Sequence, residues 1–153
     1  MDWPLPAWEL AIEFEVLGDP KAQPRHRHYS RGKFVKVYDP AADAKDLFAS
    51  VIQHSAPEEP LVGPVRVDLE CYFPRPKSHY GTGRNADKLK ASAPLFHIKK
   101  PDRDNLDKFV LDSMSKIFWL DDCQVCAGPV TKQYSTRPRT VVRVYKEASD
   151  EVD

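Results

Sequence analysis

Val65-Arg66-Val67-Asp68-Leu69-Glu70-Cys71-Tyr72-Phe73 alternates without a break. Val65, Val67, Leu69, Cys71 and Phe73 fall on one side of an extended chain, and Arg66, Asp68, Glu70 and Tyr72 on the other. A strand with one dry and one wet face needs a cover for the dry one. Downstream, Leu106, Phe109, Val110, Met114 and Ile117 recur at helical spacing from about Asn105, which predicts an amphipathic helix. It closes at Phe118-Trp119-Leu120, which suits core better than a base-stacking platform. Upstream, Asp39-Pro40 matches an N-cap followed by proline at the first helical position. That helix would run to about Gln53 and turn Ala44, Leu47, Phe48 and Val51 inward.

Further out, Ala11 to Leu17 suits a first strand and Phe34 to Tyr38 a short second one, with turn-rich Gly18 to Lys33 between them. Pro57, Pro60 and Pro64 mark a connection. Pro74 to Pro101 is long and without pattern, as functional or disordered loops are, with room for a short helix around Ala86 to Ala91. Gln124 to Tyr134 and Thr140 to Tyr145 read as final strands, the first bulged or broken at Gly128-Pro129. The predicted order is strand, strand, helix, strand, helix, strand, strand: an α/β (α+β) fold, a small mixed sheet packed with two main helices. At 153 residues the chain fits one domain. Residues 1–9 read as an arm anchored by Trp3 and Trp8, 10–146 as the domain, and 147–153 as an acidic tail.

Composition is that of a globular protein, 41% hydrophobic with formal net charge zero. No stretch approaches a bilayer span, and Met1 to Leu10 lacks the basic start and apolar run of a secretory signal. The expected location is cytoplasmic. Cys71, Cys123 and Cys126, odd in number, are expected as free thiols. Cys123-x-x-Cys126 has zinc spacing but no second pair.

Charge is unevenly placed, and its distribution is what steers a ligand. Lys21 to Lys36 carries Lys21, Arg25, Arg27, Arg31, Lys33 and Lys36 with His26 and His28, and no acid. Arg75 to Lys100 carries Arg75, Lys77, Arg84, Lys88, Lys90, Lys99 and Lys100 against Asp87 alone. Both suit phosphate contacts; the plainer alternative is solvated surface. Between the basic segments and the helix lie Asp102 and Asp104, the latter read as N-cap, and beyond the helix Asp121-Asp122. Acids at a helix start also cap orphan N–H groups, and spacing alone favours that role. The two acidic groups stand a helix length apart, so a shared metal site needs the following turn to fold back or a second subunit to contribute.

Lys100-Pro-Asp102-Arg-Asp104-Asn105-Leu106-Asp-Lys108, followed by Phe118-Trp-Leu-Asp121-Asp122-Cys-Gln124-Val125, resembles the signature of the RusA endodeoxyribonucleases, D-x-D-N-L-x-K, a helix, then D-D-x-Q-[VI]. Gly18-x-Pro20…Pro24-Arg25 and Pro74 to Tyr80 are similar to further family features, so the resemblance spans roughly residues 12–146. Bacterial and prophage enzymes of this family resolve Holliday junctions in DNA recombination and repair. The resemblance implies a homodimer that takes Mg²⁺, with Mn²⁺ as a substitute, and makes paired nicks in branched DNA. It implies Asp102, Asp104 and Asp122 as catalytic metal ligands, Asp121 as a less certain one, and Lys108 as a catalytic lysine. Lys21, Arg25, Arg27, Arg31, Lys33, Lys99 and Lys100 are the candidate DNA contacts. The 74–100 insertion and a shorter helix-to-turn connection depart from some relatives. The rivals are a branched-DNA-binding module without catalysis and a metal-dependent hydrolase of a small phosphorylated molecule.

Overall fold

The computed structural model describes residues 7–23, 27–31, 34–38 and 48–149, the segments 27–31 and 34–38 as backbone only. The elements are β1 (Trp8–Leu17), β2 (Arg27–Arg31), β3 (Phe34–Tyr38), a helix α1 of which residues 48–52 are described, β4 (Val65–Pro74), α2 (Arg103–Met114), β5 (Val125–Ala127), β6 (Val130–Ser135) and β7 (Arg139–Glu147). This is a mixed α/β domain with a five-stranded sheet and two helices.

Strand β4 is the centre of that sheet. It pairs antiparallel with β7 on one flank, and parallel with β5 and then β6 on the other. Strand β1 closes the far side antiparallel to β7. A parallel pair needs a crossover connection; the chain leaving β4 supplies one through α2 and returns as β5 and β6. These are one broken strand, split at Gly128-Pro129 as the sequence predicts. At Gly128, with φ +128, an added Cβ would lie 1.9 Å from the Val67 carbonyl oxygen, so only glycine fits this close approach.

The alternation in β4 is realised: Val65, Val67, Leu69, Cys71 and Phe73 are buried. They meet Leu106, Phe109, Val110 and Met114 of α2 together with Phe48 and Ile52 of α1. Phe48 packs edge-on against Phe109, with centroids 5.5 Å apart. Phe118 and Trp119 are fully buried, whereas Leu120 points to solvent.

Several expectations shift. The first strand starts earlier, at Trp8, because pairing with Glu147 and Lys146 holds residues that lack apolar alternation. The turn-rich stretch contains β2, in a hairpin with β3. In α1 it is Ile52 that is buried while Val51 is 45% exposed; Ala44 and Leu47 lie outside the described residues. Helix α2 begins two residues before Asn105, with Asp102 instead of Asp104 at the N-cap, and stops at Met114. Lys116, at φ 69, then reverses the chain, which carries Ile117 beyond the helix. Residues 86–91 are not a helix; they belong to a turn bridged at Tyr80 and Leu89.

The other sheet face is wet and laced with ion pairs. Arg143 reaches Glu70 and Glu13, Arg66 pairs with Asp68 at 2.8 Å, and Arg137 and Arg139 both reach Glu15. Hydrogen bonds from Tyr72 and Arg143 hold the Glu70 carboxyl below its ordinary range. A carboxyl depressed in the folded state stabilises above the unfolded value near 4.5 and loses that contribution as pH falls through the folded one. Glu70→Gln is therefore expected to cost about 1 kcal/mol at pH 7, with the gap to wild type closing in acid, measured by urea melts at the two pH values.

Candidate functional site

The stretch that the sequence singles out enters α2 through an extended residue. Asp102 sits at the N-cap with ψ 150 and makes no side-chain capping bond. Its backbone carbonyl accepts from Asn105 and Leu106, which starts the helix and leaves its carboxylate turned outward. Lys100 Nζ pairs with that carboxylate at 3.0 Å, both side chains being more than half exposed. Asp104 Oδ1 accepts from the Asn105 backbone N–H. Lys108, one turn later, is exposed on the side of the helix that Asp104 occupies.

Around Asp102 lies an open depression of about 560 Å³, lined also by His97, Lys99, Lys100, Arg103 and Lys132. Lys132 is a residue that sequence reasoning missed. It stands opposite Cys71 in the β4–β6 register, on the face that carries α2, and its Nζ donates to the Lys99 carbonyl at 2.6 Å. Only that register distinguishes it from any other strand lysine, since the chain around it shows no apolar alternation. His97 is stacked on Phe73, with centroids 3.8 Å apart, and meets Tyr134 edge-on. Burial first, and Lys132 second, hold its imidazole below the ordinary range.

Asp107, inside the motif, is half-buried between the helix and the sheet, and burial raises its carboxyl. Asp121 and Asp122 form the opposite acidic group. Asp121 caps a single 3₁₀ turn, accepting from Cys123 N–H at 3.0 Å, while Gln124 Oε1 accepts from the Asp121 N–H. Gln124 Nε2 donates to the carbonyls of Leu61 and Gly63, which ties the turn to the approach to β4. Asp122 Oδ1 accepts from Nε1 of buried Trp119 at 2.7 Å. The glutamine of the motif and the tryptophan before it are thus what hold this turn.

These groups are not brought together within one chain. The Asp122 turn leads into Val125, which pairs with Val65 at the start of β4; the Asp102 depression sits by Lys132, opposite Cys71 near its end. Val65 and Cys71 are six residues apart, about 20 Å of strand at about 3.3 Å each, so the two acidic groups lie toward opposite ends of β4. Among the described residues no three His, Cys, Asp or Glu side chains form a group that could hold a metal ion. The donor chemistry, hard carboxylate oxygens, suits Mg²⁺, but the single chain does not gather it. Cys123 and Cys126 are exposed free thiols.

Of the candidate DNA contacts, Lys21, Lys99 and Lys100 are exposed. Arg25 and Lys33 lie outside the described residues, and Arg27 and Arg31 are placed in β2 by backbone alone. The Gln23 N–H donates to the Asn105 carbonyl, so the loop leading to this basic stretch is fastened to the first turn of α2.

Two comparisons bear on the site. The family model described as Endodeoxyribonuclease RusA matches residues 18–145, most of the chain. A protein of Bacillus subtilis (strain 168), described as uncharacterized protein YqaN, is 36% identical over 135 residues, covering 87% of this chain and 94% of that protein. The site also makes a prediction independent of activity. Lys132→Met should move the His97 titration upward, without restoring the ordinary histidine value because burial persists; histidine ring resonances followed by NMR against pH would read it.

Proposed function

The chain belongs to the RusA endodeoxyribonuclease family, and from that premise we propose that it is a Mg²⁺-dependent homodimer that resolves four-way DNA junctions by paired phosphodiester cleavage, in recombination and repair. The observation that carries this reading is the depression at the start of α2. An outward carboxylate, Asp102, lies there among Lys99, Lys100, Arg103 and Lys132. A phosphodiester is drawn by the ammonium and guanidinium groups, while a carboxylate among them has no role in phosphate binding alone.

The reading assigns Asp102, Asp104 and Asp122 to the cleavage site, with Asp121 beside them, and gives Lys108 the stabilisation of charge on the scissile phosphate. Arg25, Arg27, Arg31, Lys99 and Lys100 would track the backbone. Placement toward opposite ends of β4 within one chain favours carboxylates supplied by two protomers, and this is why the homodimer belongs to the proposal. The same separation is the one observation that favours a second reading, a branched-DNA-binding module without catalysis.

The test is a gel assay of purified protein on a synthetic mobile four-way junction, with Mg²⁺ or with EDTA, beside linear duplex and splayed controls. Paired nicks confined to the junction and dependent on Mg²⁺ are expected; junction binding without cutting would favour the binding module. Asp104→Asn is expected to lower cleavage by at least about a hundredfold, on the order of 3 kcal/mol, and to spare junction binding. Wild-type cutting by that variant would remove Asp104 from the site. If the site is shared, mixing inactive Asp102→Asn and Asp122→Asn proteins should restore nicking in the heterodimer.

A further inference from the structure

The segment between β4 and α2, without pattern in the sequence, is an ordered excursion. Two 3₁₀ turns, Lys77–His79 and Gly83–Asn85, fold it into a hairpin. Gly81 N–H donates to the Lys88 carbonyl and Lys90 N–H to the His79 carbonyl. Its base is clamped. Arg75 donates to the Pro94 carbonyl at 2.7 Å, lies over the Tyr134 ring and is 3.4 Å from His79 Nδ1. His79 meets the same ring edge-on. The return strand docks on the sheet through His97 N–H to the Lys132 carbonyl and Tyr134 N–H to the Leu95 carbonyl.

The hairpin encloses a depression of about 540 Å³, separate from the one at Asp102 and lined by Lys77, Ser78, Tyr80, Thr82 and Lys90. Two ammonium groups and three hydroxyls thus face one hollow. Arg84 and Lys88 are exposed on the same excursion. Among the described residues none of Lys77, Arg84, Lys88 and Lys90 forms an ion pair, whereas the arginines of the wet sheet face are all matched with carboxylates. Like charges crowd here: Arg75, Lys99 and Lys90 each add to the burial that pushes the His79 imidazole down. A fixed set of unmatched cations is relieved by an anion, and a hollow lined with ammonium and hydroxyl groups suits phosphate oxygens.

We propose that the 77–90 hairpin is a second phosphate-binding station, which grips the backbone of a duplex arm away from the carboxylates. The proposal rests on the DNA reading above and extends it to a site outside the acidic motif. The experiment is fluorescence anisotropy of the full chain on a linear duplex and on a four-way junction, across a salt series. Lys77→Ala/Lys90→Ala is compared with wild type and with Lys146→Ala on β7, far from the hairpin. The double variant should bind both DNAs about tenfold more weakly at low salt. Its slope of log K against log salt should flatten by about 2, near 0.9 for each lost phosphate contact, while Lys146→Ala follows wild type. A double variant with wild-type affinity and slope overturns the proposal. If wild type cuts no junction yet the flattening is seen on duplex, the nuclease reading fails and the station stands. If wild type binds neither DNA, both fall.

Discussion

Pairing of β4 on both flanks is the constraint on which this structure depends. With β7 on one side and the broken β5–β6 strand on the other, its alternate side chains have no route to water. The dry face must be roofed, and the parallel return to β5 and β6 requires a crossover that doubles as the roof. Helix α2 does both. Its start is therefore delivered to one end of the sheet and the Asp121-Asp122 turn to the other, and the spacing of the two acidic groups is inherited from the length of β4.

Much of this is legible in the sequence because it is local. The nine-residue alternation, the helical recurrence from Leu106 to Met114 and the Gly128-Pro129 break each follow from side-chain period or backbone chemistry within a short window. What is not legible depends on partners distant in sequence. Arg27-His-Tyr-Ser-Arg31 has no apolar alternation, and β2 is recognisable only through its pairing with β3. Val51 and Ile52 exchange roles because the direction of α1 against the sheet, not its own pattern, selects the buried side. Asp102 takes the cap from Asp104 because helical geometry starts at Arg103, two residues sooner than the apolar spacing implies. Asp102, Asp121 and Asp122 are read correctly as residues flanking a helix, while Asp104 lies inside its first turn; whether they converge is a question of assembly that a single chain's pattern does not encode. Lys132 belongs with them only through register.

A neutral total charge proves uninformative for a similar reason. On the wet sheet face Arg143 is matched locally by Glu13 and Glu70, as are its arginine neighbours by Asp68 and Glu15. Among the described residues, the basic residues of the 74–100 segment form no such pairs apart from Lys100–Asp102, and the segment itself holds Asp87 alone as an acid. Folding separates what composition averages, and one side of a formally neutral molecule becomes attractive to polyanions.

The docking of Leu95 to His97 along β6 has a consequence for how such a chain varies. An outer strand with free N–H and C=O groups invites pairing with other chains, and these three residues cover that row where the excursion rejoins the sheet. One end of the excursion is consequently fixed by the sheet's need for a closed margin and the other by the Arg75 and His79 contacts with Tyr134, while everything between Tyr80 and Ala93 hangs outside the core. The tip is free to lengthen, shorten or change charge over generations without disturbing the roofed interior. The hem where it rejoins is not. A lineage could therefore retune its grip on a ligand by editing a single surface excursion, provided that it leaves the seam intact.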